Sequence, residues 1–336
     1  MMSEPNATVA VAEFAAGLGL GNAGDIELLT LSGGVSSDVW KAVGPRGTAC
    51  IKQALPTLRV ATRWDVPVKR GEYEARWLET ASAIVPLSVP KMLRYEPHSH
   101  LLGMQFFAPE DFPNWRTQIF DGTVDRTVAS ALGHVVGKIH AATADAPAMR
   151  TRFDSDALFD ALRLDPYFRS LRSPHPDLAD RLDKIIERTA TTRRVLVHGD
   201  VSPKNVLVGK GGPVLLDAEC AWFGDPAFDV AFLCTHLLLK ARVRPAHAIE
   251  LRLAFADYIN AYESHVNWES LTALRERSAD LLAAMLLARI DGKSPVDYLP
   301  PSCRAWVRSV ARDLLKGKPT SPTDVLNAWD GRTGAI

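Results

Sequence analysis

The residues of this chain best suited to chemistry lie in one stretch, Val195-Leu-Val-His198-Gly199-Asp200-Val-Ser-Pro-Lys204-Asn205-Val-Leu-Val208. It continues through Gly209-Lys-Gly-Gly-Pro213 into Val214-Leu-Leu-Asp217-Ala-Glu219. Two short apolar runs around a Gly-rich turn read as a β-hairpin. That geometry places Asn205, just before the first strand, near Asp217 at the end of the second, while Asp200 enters from the preceding loop. Two acids and an amide converging at one end of a hairpin form an all-oxygen donor set that suits a hard cation such as Mg²⁺. Phosphoryl transfer needs this kind of set, with one carboxylate to accept a hydroxyl proton and metal ligands to neutralise phosphate charge.

The elements around this stretch divide the chain in two. A leading helix is expected over 8–18, followed by strands at Ile26–Leu31, Asp38–Val43 and Ala49–Gln53, the last carrying Lys52 in mid-strand. The first two strands are joined by Ser32-Gly33-Gly34-Val35-Ser36-Ser37, whose adjacent glycines signal a tight turn. A helix over 70–82 puts Tyr73, Trp77 and Leu78 on one face, and strands follow at Lys91–Tyr95 and Leu101–Phe107. Beyond Pro109 the pattern turns helical, at 123–144, 156–170 and 177–192, and from Ala227 onward nearly throughout. The tail from Lys316 reads as a loosely attached end with one short helix. The expected division is 1–107, a small antiparallel β lobe, and 108–336, a larger and mainly helical lobe, with a linker near 108–114.

Composition excludes several classes. Lys+Arg and Asp+Glu number 39 each, so no charge bias points to nucleic acid or an anionic membrane. Cys50, Cys220, Cys234 and Cys303 lack the paired spacing of zinc sites and read as reduced thiols. No signal-peptide pattern opens the sequence, and the apolar run Leu281–Ala288 is far short of the ~20 residues of a bilayer span. A cytoplasmic protein is expected. Gly292-Lys293-Ser294 imitates the end of a P-loop, but Leu287 stands where that motif requires glycine.

His198-Gly199-Asp200, then Asn205, then a strand ending in Asp217, resembles the catalytic and metal segments of the aminoglycoside phosphotransferase/choline kinase group. The resemblance implies a protein-kinase-like α+β fold, ATP and Mg²⁺ as cofactors, Asp200 as catalytic base, and Asn205 and Asp217 as metal ligands. Gly224-Asp225-Pro226-Ala-Phe-Asp229 matches the group's Gly-Asp-Pro-x-x-Asp run, in which Asp229 would brace the catalytic loop. In front, Lys52 would contact ATP phosphates and pair with a helix glutamate, Glu74 before Glu72 or Glu79. The turn carrying Gly33, Gly34 and Ser36 would cover the phosphates, and Gln105-Phe106-Phe107 would be the hinge whose backbone holds adenine.

Only eleven residues separate Asp217 from Asp229, too few for an activation loop and a peptide-docking ledge, so the acceptor is expected to be a small molecule. Lys52-Gln-Ala-Leu-Pro56, the Arg70–Leu78 segment and Asp217-Ala218-Glu219 look like the methylthioribose kinases, sugar kinases of this fold. That likeness makes Glu219 a candidate second metal or substrate ligand and Arg289 a candidate substrate ligand. Trp222, close after Asp217, joins them at the expected mouth of the site. His236 is open to two readings, a packed core histidine or a substrate contact. For Arg289 the competing reading is a buried ion pair with Asp291 or Asp297. An aminoglycoside or amino-alcohol acceptor is the alternative, although 14 Lys+Arg against 11 Asp+Glu from Lys240 onward do not suggest a trap for polycations. A non-catalytic, pseudokinase-like binding protein is the alternative of another class.

Overall fold

The computed structural model describes residues 4–31, 36–59 and 64–333. It divides into two compact units, Met1–Phe112 and Pro113–Ile336.

In the first unit, helix α1 (Glu4–Gly17) precedes strands β1 (Glu27–Thr30), β2 (Ser37–Gly44) and β3 (Gly47–Ala54). Helix α2 (Arg70–Ile84), β4 (Met92–Glu96) and β5 (Leu101–Met104) complete it. The sheet is antiparallel in the order β1-β2-β3-β5-β4. Alternation along β2 and β3 sends Ala42, Ala49 and Ile51 to one face, where they pack with Val11, Phe14 and Ala15 of α1 and with Leu101. Lys52 pairs in register with Val39 and Leu102, and the pleat therefore turns it to the face opposite Ile51.

The second unit opens with α3 (Trp115–Phe120), capped by Asn114, and α4 (Arg126–Thr143), capped by Asp125. Short helices α5 (Pro147–Arg152) and α6 (Asp156–Phe159) follow. The helix expected over 156–170 is broken: a π-turn spans Asp160–Leu164, α7 spans only Asp165–Tyr167, and a 3₁₀ turn closes at Arg169–Leu171. Pro166 accounts for the break, because it has no N–H to continue the ladder. After α8 (Ala179–Thr191) come β6 (Val195–Val197), β7 (Val206–Gly209), β8 (Gly212–Leu215) and β9 (Trp222–Gly224). The hairpin β7–β8 pairs Val206 with Leu215, and β6 pairs with β9.

Helices α9 (Ala227–Val243), α10 (Ala248–Glu263), α11 (Leu271–Asp291), α12 (Pro301–Gly317) and α13 (Pro322–Thr333) complete the chain. Leu281–Ala288 is buried on every side, which is why α11 is apolar all round there. At Gly133 a Cβ would lie 2.5 Å from the Tyr258 carbonyl, so the glycine lets α4 and α10 pack closely. The tail is docked, contrary to expectation. Trp329 of α13 is 1% exposed and meets Trp306 edge-to-face at 4.7 Å. All four cysteines are unbridged. No helix among the described residues is long and apolar enough to cross a membrane.

Candidate active site

In the first unit, Lys52 and Glu74 meet at 2.7 Å, both buried, so the helix glutamate facing the lysine is Glu74. A buried charge pair persists only with good geometry, and β3 and α2 hold both ends. Fully buried Arg70 draws neighbouring segments together through the carbonyls of Ser36, Leu55 (2.5 Å), Pro67 (3.2 Å) and Val66 (3.3 Å). Ser36 thus sits at a point fixed through its own carbonyl, whereas Gly33 and Gly34 lie outside the described residues. At the expected hinge, the Gln105 N–H donates to the Lys91 carbonyl at 2.9 Å. The Phe107 N–H has no hydrogen bond among the described residues, and the Phe107 ring packs edge-to-face on Phe112.

In the second unit, the His198–Asp200 loop leaves β6 and is pinned from below by Asp229. The Asp229 carboxylate accepts the N–H of His198 at 2.7 Å and of Gly199 at 2.8 Å. It lies 3.3 Å from His140 Nε2, while His140 Nδ1 meets the Tyr262 hydroxyl at 2.9 Å. Gly199 has φ +79°, and a Cβ there would come within 2.7 Å of the Cys220 carbonyl. Only glycine fits that turn. The Asp200 N–H donates to His198 Nδ1 at 3.1 Å, so the remaining ring proton lies on Nε2 and is donated to the Leu216 carbonyl at 3.1 Å. Burial lowers the His198 pKa, consistent with this neutral tautomer.

Asn205 closes the arrangement. Its Nδ2 donates to the Asp200 carbonyl at 3.0 Å, and its own carbonyl accepts the Leu216 N–H at 2.8 Å. Asp200, Asn205 and the residue before Asp217 are therefore linked by consecutive hydrogen bonds. Asp217 follows with φ +69°, a turn that aspartate tolerates better than most residues. The Asp200 carboxylate lies 3.3 Å from Arg163 and 3.2 Å from Lys204.

This donor set fits a hard cation. With Nδ2 engaged, Asn205 keeps Oδ1 as an acceptor with no hydrogen bond among the described residues, and Asp217 supplies a carboxylate. Mg²⁺ asks for few protein ligands, since it retains water and takes phosphate oxygens. Among the described residues no three His, Cys, Asp or Glu side chains group as a metal cage. Buried Glu219 lies within the electrostatic reach of Arg163.

Trp222 corrects the sequence expectation. It is 1% exposed on β9, stacked on Phe159 at 4.0 Å, covered by Arg193, and bonded through Nε1 to Asp156. Its closeness to Asp217 in sequence does not place it at a pocket mouth, because pairing with β6 turns it into the core. Arg289 has neither expected ion-pair partner. Asp291 is held by Arg308 and His175, and Asp297 by Arg116, while Arg289 donates to the Tyr167 hydroxyl and to Ser294 Oγ, each at 3.0 Å. His236 is buried in α9 with its ring 5.3 Å from Phe232. Sequence reasoning missed Arg163, whose Nε donates to the Gly199 carbonyl at 2.6 Å. No local signal marks it, since the π-turn that presents it was itself read as plain helix.

An antiparallel five-stranded unit with a buried strand-lysine and helix-glutamate pair, followed by a helical unit with a braced His-Gly-Asp loop, is the architecture of the protein-kinase-like phosphotransferases. The chain belongs to the phosphotransferase enzyme family (APH), whose model matches residues 27–274. Relatives include the methylthioribose kinase of Erwinia tasmaniensis, 25% identical over 222 residues, covering 58% of this chain and 55% of that protein. Methylthioribose kinase 1 of Oryza sativa is 22% identical over 282 residues, covering 73% and 62%. The chain thus spans little more than half the length of the Erwinia relative. Similar folds include the amicoumacin kinase hAmiN, solved with AMP-PNP, Ca²⁺ and Ami (TM-score 0.58, 14% identity, covering 96% of this chain and 98% of that one). A choline/ethanolamine kinase family protein from Mesorhizobium loti is also similar (TM-score 0.53, 16% identity, covering 90% and 92%).

Proposed function

We propose that the chain is an ATP- and Mg²⁺-dependent kinase that phosphorylates a hydroxyl of a sugar-like small molecule. The observation that carries this reading is the hydrogen-bonded run from Asp229 through the His198–Asp200 loop and Asn205 to Leu216, beside Asp217. In the proposed roles Asp200 accepts the acceptor's hydroxyl proton, with its carboxylate oriented by Arg163 and Lys204. Asn205 Oδ1 and Asp217 would hold Mg²⁺, which when bound neutralises charge on the phosphates. Lys52, oriented by Glu74, binds nucleotide phosphate, and the Phe107 N–H is the hinge donor for adenine. Methylthioribose kinases among the relatives support a sugar-like acceptor.

Calorimetry of ATP binding with and without Mg²⁺, on wild type and Asp217→Ala, tests the reading. The wild type should bind more tightly with Mg²⁺, and the variant should lose that enhancement. Equal enhancement in both would remove Asp217 from the site, and no ATP binding by the wild type would overturn the kinase reading altogether.

A further inference from the structure

One buried lysine of the second unit has no ion-pair partner among the described residues. Lys240, in α9, is 1% exposed, and its ammonium makes no hydrogen bond there. Its ammonium lies over the rings of Tyr298 at 5.0 Å and Phe120 at 5.9 Å. One helical turn earlier, on the same face of α9, His236 is 6% exposed, with Nδ1 buried and lacking a hydrogen bond. The Tyr298 hydroxyl and Arg289 Nε are likewise buried without partners. The surrounding charge is mostly positive. Arg116 stands over the Tyr298 and Phe120 rings, and Arg289 has no carboxylate partner among the described residues. The nearby acid, Asp297, is largely exposed and lies 3.4 Å from Arg116, while Asp291 is engaged by His175 and Arg308.

This cluster adjoins the proposed catalytic loop. Arg163, 3.3 Å from Asp200, stacks over Tyr167 and Phe232, each at 5.6 Å. The Phe232 ring is 5.3 Å from His236, and the Tyr167 hydroxyl accepts from Arg289. One layer of aromatic side chains therefore separates Asp200 from the uncompensated cations. A dry cation without a counter-ion is costly, as is a buried donor left unpaired. Lys240 lies beside the Tyr298 ring and within electrostatic reach of His236 and Arg289, so an anion bound among them would offset that cost.

We propose that Lys240, His236 and Arg289 form an anion-holding subsite, and that the acceptor is a hydroxylated molecule carrying a carboxylate or phosphate. The proposal rests on the kinase reading above for its word "acceptor" and narrows that reading. A polycationic aminoglycoside or a choline-like amino alcohol is repelled by the same groups. Burial, then Arg116 and Arg289, press the Lys240 pKa down to about 7, with Asp297 opposing and Lys204 adding to the depression. Binding of an anion at pH 8 therefore takes up a proton.

The test is calorimetry on the full chain, without nucleotide, at pH 8 in two buffers of different ionisation enthalpy. The probes share a polyol skeleton: D-gluconate as carboxylate, D-glucose 6-phosphate as phosphate, D-glucitol as neutral and D-glucosamine as cation. Binding of gluconate or the sugar phosphate with proton uptake, and weaker binding of the other two, is the expected result; which anion binds identifies its source. Lys240→Met should weaken anion binding by about 10- to 100-fold, the range of a charge-assisted hydrogen bond, and Lys240→Arg should restore part of it. The melting temperature of Lys240→Met should hold or rise, because a buried amine without a hydrogen-bond partner is replaced by an apolar side chain of similar length. A fall in melting temperature with anion binding unchanged would overturn the subsite, as would wild-type preference for glucitol or glucosamine. Mg²⁺-dependent ATP binding is read separately, so a failed subsite leaves the kinase reading standing, and a failed kinase reading leaves the anion result interpretable.

Discussion

Asp200 sits between two cations and below a loop whose N–H groups are all engaged, so its carboxylate has little room to reorient. In the proposed role it acts on the hydroxyl of the small-molecule substrate and not on the nucleotide. Asp200→Asn keeps the shape and removes the base. Turnover should fall about 10²- to 10⁴-fold, with ATP affinity nearly unchanged. Steady-state ADP formation together with calorimetry checks both, and retention of more than half of wild-type kcat would end the assignment. Residue types and spacing already singled out Asp200, Asn205 and Asp217, and the family resemblance added Lys52 and Glu74, the latter ahead of Glu72 and Glu79. Nothing comparable marked Arg163 or Lys240. An arginine or lysine acquires meaning only from what surrounds it, and both are surrounded by residues remote in sequence.

At the level of elements, the turn after β6 depends on one conformation. Gly199 at φ +79° lets its N–H reach Asp229 while the chain passes close beside the Cys220 carbonyl. Gly199→Ala should lower unfolding stability by about 1–3 kcal/mol, the range for strain of this kind, and lower kcat in the variant that remains folded. Urea denaturation with kinetics at a permissive temperature would show it; wild-type stability and kcat together would refute the strained-turn account. The β7–β8 hairpin was legible because its alternation and glycines are local. Strand β9 was not, since three residues after a turn carry no periodicity and only pairing with β6 defines them. That pairing also decides the position of Trp222. The break in the helix expected over 156–170 was signalled by Pro166, but its π geometry was not.

Over the whole molecule, two buried imidazoles make folding sensitive to acid. The pKa of His198 is lowered from 6.5 by burial, and that of His236 well below 6.5 by burial and by Lys240. Between those depressed values and about 6.5, the unfolded chain binds more protons than the folded one, so stability drops as pH falls through that window. The melting temperature should fall from pH 8 to 7, where the unfolded chain keeps the Lys240 proton that the folded chain, with that pKa pressed down to about 7, has largely lost, and it should decline further toward pH 5, less steeply there in His236→Phe. An unchanged melting temperature at pH 5 would show that these rings are not held neutral. The same scale separates what the linear order of residues determines here from what folding decides. Order and type determined the division into a β-rich and a helical part and the spacing of Asp200, Asn205 and Asp217, because these depend on periodicity and short fixed spacings, while Lys52 and Glu74 stood out only through the family resemblance. Tertiary packing decided that Trp222 is core and that the tail is docked through Trp329. It also decided that Arg289 faces Tyr167 rather than an aspartate, and that Lys240 is buried without an ion-pair partner among the described residues. The physical reason is common to all four. Burial and pairing are properties of neighbours brought together across long stretches of chain, and no local pattern encodes which neighbours those will be.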